Sequence, residues 1–289
     1  MSLVVKFNLV FAAVFALGLA GAGYMARSIL YGNARDETLE NARLIMEAAI
    51  ASRTYTATQV APLLAKQLDT DFPAASVPAF AATEQFNELH VKYPDFSYKE
   101  ATLNPTNPRD RATDWEADIV NRFRQYHQAE THGERETPSG RSLYLARPIQ
   151  IHDAACLECH STVEAAPKAM IRRYGTANGF GWKLNEIVGA QIVSVPMAFP
   201  ERRAERALRG FIGAFAAIFL AAFALLNAML MVLVVRPVTR LAKAADEVSL
   251  GKIDAPEFPA SGRDELSMLA QSFNRMKKSL AHAIKLLEQ

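Results

Sequence analysis

The chain has 289 residues, 50% of them apolar, and a formal net charge of +2 at pH 7. This length leaves room for about two domains. The nearly balanced charge gives no indication of nucleic acid as a partner, because proteins that bind nucleic acid carry a marked basic excess. The two cysteines, Cys156 and Cys159, fall in one motif, which leaves none for a separate disulfide framework.

An uncharged apolar run extends from Phe7 to Ala26, between Lys6 and Arg27. It reaches the length of about 20 residues that a helix needs to cross a bilayer. A short basic start and small residues near the end are also typical of a cleaved secretory signal. We favour an uncleaved anchor, because the apolar core of a signal has only about 7 to 15 residues.

A second uncharged run extends from Phe211 to Val235, between Arg209 and Arg236. Its length and composition predict a transmembrane helix. Two spans place the stretch between them on one side of the membrane and the flanking stretches on the other. Basic residues lie at both ends of this run, so the positive-inside rule does not decide the orientation.

Between the two runs, the apolar periodicity predicts helices interleaved with strands. A long helix follows the first run, since Gly and Pro are absent between Gly32 and Pro62. The later elements are a helix over 81–91, a strand over 96–101, a helix over 112–128, a polar loop over 131–140, and strands over 143–151 and 186–195. This order predicts an α+β domain with an antiparallel sheet.

The most specific feature is the C-x-x-C-H motif at 156–160, which is the attachment signature of a c-type haem. Thiols at this spacing form thioether bonds to the two vinyl groups of one porphyrin, and His160 then reaches the iron as an axial ligand. Other interpretations are a thioredoxin-like redox pair, a plain disulfide, or half of a zinc site to which His152 adds an incomplete ligand set.

Covalent haem attachment belongs to the oxidising, extracytoplasmic side of a bacterial membrane. The motif therefore places residues 27–209 in the periplasm and the tail after Arg236 in the cytoplasm.

Several segments around the motif resemble the cyanobacterial and proteobacterial family of single-haem, PAS-like c-type sensor domains. The similarity covers roughly residues 35 to 200. It lies in Tyr98-Lys99-Glu100, Asn104 to Pro108, Ala155 to Ser161, Tyr174-Gly175, Gly179 to Trp182 and Val193 to Met197. The resemblance implies a periplasmic PAS-like fold, one covalent haem, iron ligation by His160 and a sensing role.

The resemblance also implies that a residue outside the motif, such as a cysteine, can fill the sixth position on the iron. A third cysteine is not present in this chain. Met46 is the preferred candidate, because a thioether is a familiar partner of His in c-type haems. The alternatives are Met170, Met197, His90, His127, His132 and His152. An open position suits binding of a small gas, whereas a filled one suits redox sensing.

Two further groups of residues are candidates for contact with the haem. The glycines at 175, 179 and 181 allow close backbone approach to a flat ring, although an ordinary turn explains them equally well. The arginines are candidates to neutralise haem propionates or else face solvent; they are Arg111, Arg172 and Arg173.

The tail after the second run carries two blocks of apolar residues at alternating steps of three and four. The first block is Val238, Leu241, Ala245 and Val248, the second is Leu266, Leu269, Phe273, Met276 and Leu280, and the connector includes Gly251, Ile253, Pro256 and Pro259. The pattern predicts a parallel coiled-coil module, with an amphipathic tail lying on the membrane as the alternative. With Pro237 and Asp264-Glu265, the tail resembles a HAMP linker over about 214–283, which implies a homodimeric four-helix bundle.

These observations predict a bacterial inner-membrane homodimer that senses through one covalent haem c and has no catalytic output of its own. The expected parts are a transmembrane helix at 1–30, a periplasmic PAS-like α+β sensor domain at 31–209, a second transmembrane helix at 210–236, and a cytoplasmic all-α HAMP module with a C-terminal helix at 237–289. A change of redox state or a bound gas would then reach a separate cytoplasmic output protein, unless the chain is part of a longer receptor. A membrane-anchored cytochrome that passes electrons to a redox partner is the main alternative, and a haem enzyme is another.

Overall fold

The computed structural model describes residues 1–68, 70–252, 257–259 and 262–287. Ile253 and Pro256 of the expected connector lie outside these residues. The helices and strands follow one another in this order: α1 Leu3–Tyr55, α2 Ala61–Leu64, α3 Pro78–Lys92, β1 Ser97–Thr102, α4 Asp114–Tyr126, β2 Thr131–Thr137, β3 Gly140–Gln150, α5 Leu157–His160, α6 Lys168–Tyr174, β4 Ile187–Pro196, α7 Ala198–Leu230, α8 Arg236–Ser249 and α9 Glu265–Leu287.

The chain divides into two compact units, Arg27–Leu208 and Met1–Ala26 with Arg209–Gln289. The first unit contains an antiparallel sheet in the order β1-β4-β3-β2. β2 and β3 form a hairpin, and Gly140 follows its tip with a φ of 112° that glycine adopts readily. β4 therefore lies inside the sheet, with β1 and β3 as its neighbours.

Strand periodicity divides the inward-pointing residues between two apolar cores. On one face, Leu145 and Val193 pack in a cluster with Met46 of α1. On the other face, Ala146 packs in a cluster with Phe123 of α4. All five side chains are fully buried. Burial of a large apolar side chain stabilises a fold by about 1.5–3 kcal/mol, so these clusters hold α1 and α4 on opposite faces of the sheet.

Most of the stretch 131–140 forms a strand, whereas the sequence predicts a polar loop. Every residue of β2 is paired with β3, from Thr131 opposite Ala146 to Thr137 opposite Gly140. The strand lies at the edge of the sheet, where polar side chains are tolerated, and Glu134 forms an ion pair with Arg35 of α1 at 3.0 Å. The loop prediction is wrong because polar contacts rather than apolar alternation accompany this strand.

In the other unit, aromatic side chains bring α1 and α7 together. Phe15 stacks on Phe219 with ring centroids 5.3 Å apart. Gly18 lies beside this pair, and a Cβ at its position would make an ordinary van der Waals contact with the Phe219 ring at 3.6 Å. Two helical stretches, Val4–Gln67 and Ala198–Ser249, contain segments long and apolar enough to cross a membrane.

One side chain of α9 holds the connector that leads to it. Asn274 accepts a hydrogen bond from Phe258 N at 3.1 Å and donates one to Phe258 O at 3.0 Å. The Phe258 ring also packs edge-on against Phe273 at 5.7 Å. Asp264 accepts a hydrogen bond from Ser267 N at 2.7 Å, which caps the start of α9.

Candidate haem site

The C-x-x-C-H motif folds into a short helical turn. A 3-10 turn at Ala154–Cys156 runs directly into α5, and Asp153 accepts a hydrogen bond from Ala155 N at 2.9 Å. Residues three positions apart on such a turn lie on the same side, so Cys156 and Cys159 share one side of it. Both are free thiols and both are partly buried.

The surroundings of the two thiols keep them protonated. Burial raises the pKa of Cys156, with a further contribution from Asp153, and Arg53 opposes the rise. Burial also raises the pKa of Cys159, with a further contribution from Glu158. A redox-active C-x-x-C pair needs at least one thiol with a lowered pKa, so the thioredoxin-like alternative finds no support in these environments.

His160 has a defined tautomer in this structure. Its Nδ1 atom lies 2.8 Å from the carbonyl oxygen of Gly179. Because a carbonyl oxygen only accepts hydrogen bonds, Nδ1 must carry the proton, and the lone pair then lies on Nε2. Burial lowers the pKa of His160, while the hydrogen bond to Gly179 opposes that shift. The imidazole is therefore neutral with Nε2 available, which is the form that binds a metal ion.

The segment at 175–182 covers one face of the His160 ring. The Trp182 indole stacks on the imidazole with ring centroids 4.0 Å apart and an interplanar angle of 15°. Trp182 N also donates to His160 O at 3.2 Å, and Gly181 N donates to Ser161 O at 2.9 Å. In this structure Trp182 of the glycine-rich loop covers the histidine ring. Contact of the loop with the haem ring stays a prediction.

The turn after β1 approaches His160 from another direction. Thr106 Oγ1 lies 3.4 Å from His160 Nδ1. The Asn104 side chain accepts from Gly179 N at 3.2 Å and donates to Phe180 O at 3.2 Å. Gly179 has a φ of 88°, and a Cβ there would lie only 2.9 Å from Thr106 Cα, so this position requires glycine.

Of the sulfur ligands considered, Met170 rather than Met46 lies in the apolar cluster against which Cys159 packs. Phe72 belongs to the same cluster, and Met170 is 2% exposed. Met46 is fully buried in the separate cluster between α1 and the sheet, with Leu143 among its members. The structure thus brings Cys156, Cys159 and His160 together and places Met46 in another core. Met46 as the sixth ligand stays a prediction.

Sequence reasoning missed a buried polar network on the α1 side of the sheet. Arg53 of α1 forms an ion pair with Glu100 of β1, which is 4% exposed. Tyr98 donates to Glu100 Oε1 at 2.8 Å and accepts from Gln191 Nε2 at 3.1 Å. The effect of Arg53 on the pKa of Cys156 shows that this network lies within electrostatic reach of the motif. The sequence signal is Glu100 itself, which shares the strand face of the aromatic Tyr98.

The three arginines considered for propionates all contact protein groups. Arg172 donates to Thr70 O at 3.0 Å, Arg173 donates to Phe72 O at 3.3 Å, and Arg111 donates to Asn178 Oδ1 at 3.2 Å.

The residues at the motif fit a c-type haem better than a zinc ion. No group of three or more His, Cys, Asp or Glu side chains suited to a metal ion occurs within the described part of the chain. Two thiols one helical turn apart and a neutral histidine with a free Nε2 are the donor set that covalent haem attachment uses. The apolar cluster beside Cys159 provides the low-polarity surroundings that a porphyrin needs.

Family models and a solved structure match parts of the chain. A family model described as Tll0287-like (Tll0287) matches residues 31–196, and a HAMP domain model matches residues 229–282. This chain is similar to the crystal structure of the cyanobacterial heme-protein Tll0287, with 18% sequence identity and a TM-score of 0.44. The match covers 55% of this chain and 95% of that chain. Curated proteins show no match.

The HAMP match and the two long apolar helices favour a two-pass inner-membrane protein that transduces a signal. No catalytic domain is indicated by the family models that match. The first model covers more than half of the residues, and the chain therefore belongs to the Tll0287-like family.

Proposed function

We propose that the protein is a membrane-bound sensor with one covalent haem c, held by thioethers at Cys156 and Cys159 and ligated by His160. The observation that carries this proposal is the hydrogen bond from His160 Nδ1 to Gly179 O at 2.8 Å, because it leaves Nε2 free for iron inside a C-x-x-C-H motif. When bound, the haem supplies an iron that changes oxidation state or takes up a small gas.

In this proposal the domain at 31–209 is PAS-like and periplasmic, and the HAMP module is cytoplasmic. Covalent haem attachment on the oxidising side of the membrane supports that orientation. The two predicted spans, at 1–30 and 210–236, then connect the sensor to the tail at 237–289.

The exposed apolar residues of α9 support a homodimer. Leu269, Met276 and Leu280 follow the heptad pattern and are 51%, 58% and 42% exposed in the single chain. Residues at such positions pack against a second helix in a coiled coil. The dimer would present the signal to a separate cytoplasmic output protein.

The covalent haem is tested first, with the full chain purified in detergent. Denaturing electrophoresis followed by haem staining should give a stained band for the wild type and none for the double variant Cys156→Ser, Cys159→Ser. His152→Ala is the matched control, since that histidine lies near the motif but outside it, and this variant should stain like the wild type. A stained double variant, or an unstained wild type, would refute the proposal.

The sixth ligand is tested by comparing two methionines. If Met46 binds the iron, Met46→Leu should change the low-spin ferric spectrum while Met170→Leu leaves it unchanged, and the reverse result would assign the position to Met170. A wild-type spectrum that shifts when carbon monoxide is added would indicate an open position and a gas sensor. A spectrum unmoved by the gas would indicate redox sensing.

Signal transmission is tested against simple electron transfer. A nitroxide label at Met276→Cys would report the distance between the two copies of α9 in the oxidised and reduced protein. We expect the distance distribution to change with oxidation state, as a relay through HAMP requires. An unchanged distribution, together with rapid electron exchange with a soluble redox protein, would favour the membrane-anchored cytochrome.

A further inference from the structure

We infer that Asn104 is a positioning residue, which fixes the Gly179 carbonyl against His160 and thereby sets the reduction potential of the haem. This inference rests on the proposed function and adds a residue outside the motif to it. The side-chain amide of Asn104 accepts from Gly179 N and donates to Phe180 O, both at 3.2 Å. Those two groups flank the peptide unit whose carbonyl oxygen receives the Nδ1 proton of His160.

The peptide unit between Gly179 N and Phe180 O lies in a segment that contains three glycines with positive φ. Gly175, Gly179 and Gly181 have φ values of 80°, 88° and 81°. Glycine adopts such angles without strain but also leaves them easily. The orientation of the Gly179 carbonyl therefore depends on contacts from outside the loop.

Asn104 provides such a contact from a rigid element. It lies two residues beyond the end of β1, and the intervening Leu103 donates from its backbone N to Val188 O of β4 at 3.3 Å. The asparagine is thus anchored to the sheet while its amide reaches the loop. An asparagine side chain supplies both a donor and an acceptor in one plane, as a backbone peptide does, whereas aspartate lacks the donor and alanine lacks both groups.

The hydrogen bond at Nδ1 matters because it increases the basicity of the ligating imidazole. A more basic ligand stabilises the ferric iron relative to the ferrous iron. Loss of Asn104 would let the Gly179 carbonyl turn away, weaken that hydrogen bond and raise the reduction potential. Replacing the hydrogen-bond partner of a metal-ligating histidine typically changes metal affinity or activity about 10- to 100-fold.

The experiment compares Asn104→Ala with Asn107→Ala in the full, haem-loaded chain in detergent. Asn107 belongs to the same turn, but its side chain accepts from Arg109 N at 3.3 Å and bonds within that turn. Two readouts are needed: the reduction potential, and the iron–imidazole stretching frequency of a ferrous form in which His160 is the only strong axial ligand. For Asn104→Ala we expect a higher potential, with the ferric-to-ferrous ratio at fixed ambient potential changed about 10-fold, which corresponds to about 59 mV. The stretching frequency should fall in parallel, and Asn107→Ala should leave both values unchanged.

An Asn104→Ala variant that carries haem and keeps the wild-type frequency would overturn the inference, even if its potential shifted through added solvent exposure. The proposed function would survive that result, because it is tested separately, by haem staining of the wild type and of the double cysteine variant. If Asn104→Ala does not fold, Asn104→Asp keeps the acceptor for Gly179 N and removes the donor to Phe180 O. Its stretching frequency should fall by a smaller amount, and an unchanged frequency would again overturn the inference.

Discussion

Two glutamates are almost completely buried on opposite faces of the sheet, and their partners differ in kind. Glu116, 5% exposed, accepts from Thr113 N at 2.8 Å and pairs with Lys99 at 2.7 Å. Glu100, 4% exposed, pairs with Arg53 and accepts from Tyr98. The first arrangement starts a helix, whereas the second joins α1 to β1 within electrostatic reach of Cys156.

This difference shows that a buried glutamate can stabilise one helix start, as Glu116 does, or join two separate elements of a domain, as Glu100 does. A buried carboxylate has to be paired, because an unpaired charge in the interior is very costly. Glu116 meets that requirement largely through its own helix and the strand beneath it. Glu100 meets it through a helix 47 residues away in sequence, and that helix residue, Arg53, also acts on Cys156. We therefore expect changes around Glu100 to reach the motif and those around Glu116 to remain local.

The largest effect on stability should come from removing the basic side chains that pair with the two glutamates. Arg53 and Lys99 are a matched pair, because both side chains are 28% exposed. Arg53→Ala leaves Glu100 buried without its counter-charge and should lower the free energy of unfolding by about 3–5 kcal/mol. Lys99→Ala should cost less, about 1–3 kcal/mol, because Glu116 keeps its hydrogen bond from Thr113. Thermal unfolding of the full chain in detergent, followed by circular dichroism, would measure both. Equal losses would contradict the distinction between the two glutamates.

The next effect concerns the hydroxyl group of Tyr98. Burial raises the pKa of Tyr98, and the charge of Glu100 raises it further, so the hydroxyl stays protonated and donates to the carboxylate. Tyr98→Phe removes this bond to a charged group and should destabilise the protein by about 1.5–3 kcal/mol. Tyr144→Phe is the control on the opposite face, where the ring packs on Trp115 at 5.5 Å. It should change the unfolding midpoint by much less, and an equal change would place the effect in packing.

A third carboxylate, that of Asp110, should make the stability of the fold depend on pH. Burial raises the pKa of Asp110 to about 6, with Arg109 opposing and Glu100 adding to the rise. Between about pH 4 and 6 the folded state keeps a proton that the unfolded state has lost, so this group lowers the stability of the fold as pH rises through that range. Asp110→Asn should remove the slope and stabilise the protein above pH 6 by about 1–2 kcal/mol, a value reduced for partial exposure.

The same experiment separates the two buried glutamates. Glu100→Gln should flatten the pH slope of Asp110 in part, because the negative charge of Glu100 contributes to the raised pKa. Glu116→Gln should leave the slope as it is. A slope unchanged in Asp110→Asn itself would show that another group titrates in this range.

The sequence predicts those elements of the fold whose pattern lies within the element itself. β3 and β4 were expected at 143–151 and 186–195 and lie at Gly140–Gln150 and Ile187–Pro196, because their apolar alternation is strong. The sequence did not predict β2, because this strand is stabilised by polar partners elsewhere in the chain, such as Arg35 for Glu134.

The candidate site divides in the same way. The C-x-x-C-H motif can be recognised within five positions, and its spacing predicts attachment of one porphyrin. The partners of His160 cannot be recognised from the sequence, because Thr106 and Gly179 are 54 and 19 residues away and contact it through loops. No periodicity or spacing encodes those contacts, which arise from the sheet and from glycine conformations. The tail shows the opposite balance, since its heptads can be recognised in the sequence, whereas in the proposed homodimer their contacts are with a second chain.

The smallest predicted effect tests whether the Glu100 network is coupled to the haem. Glu100→Gln removes one negative charge at constant shape and leaves Arg53, which lies within electrostatic reach of Cys156, without its counter-ion. Added positive charge near the iron disfavours the ferric state, so the reduction potential should rise by an amount on the order of tens of millivolts. Glu116→Gln removes the same charge on the other face of the sheet and should leave the potential unchanged. Redox titration of the two variants would measure the shifts. Equal shifts would mean a general effect of net charge, whereas a shift in Glu100→Gln alone would show that the ion pair between α1 and β1 is electrostatically coupled to the haem.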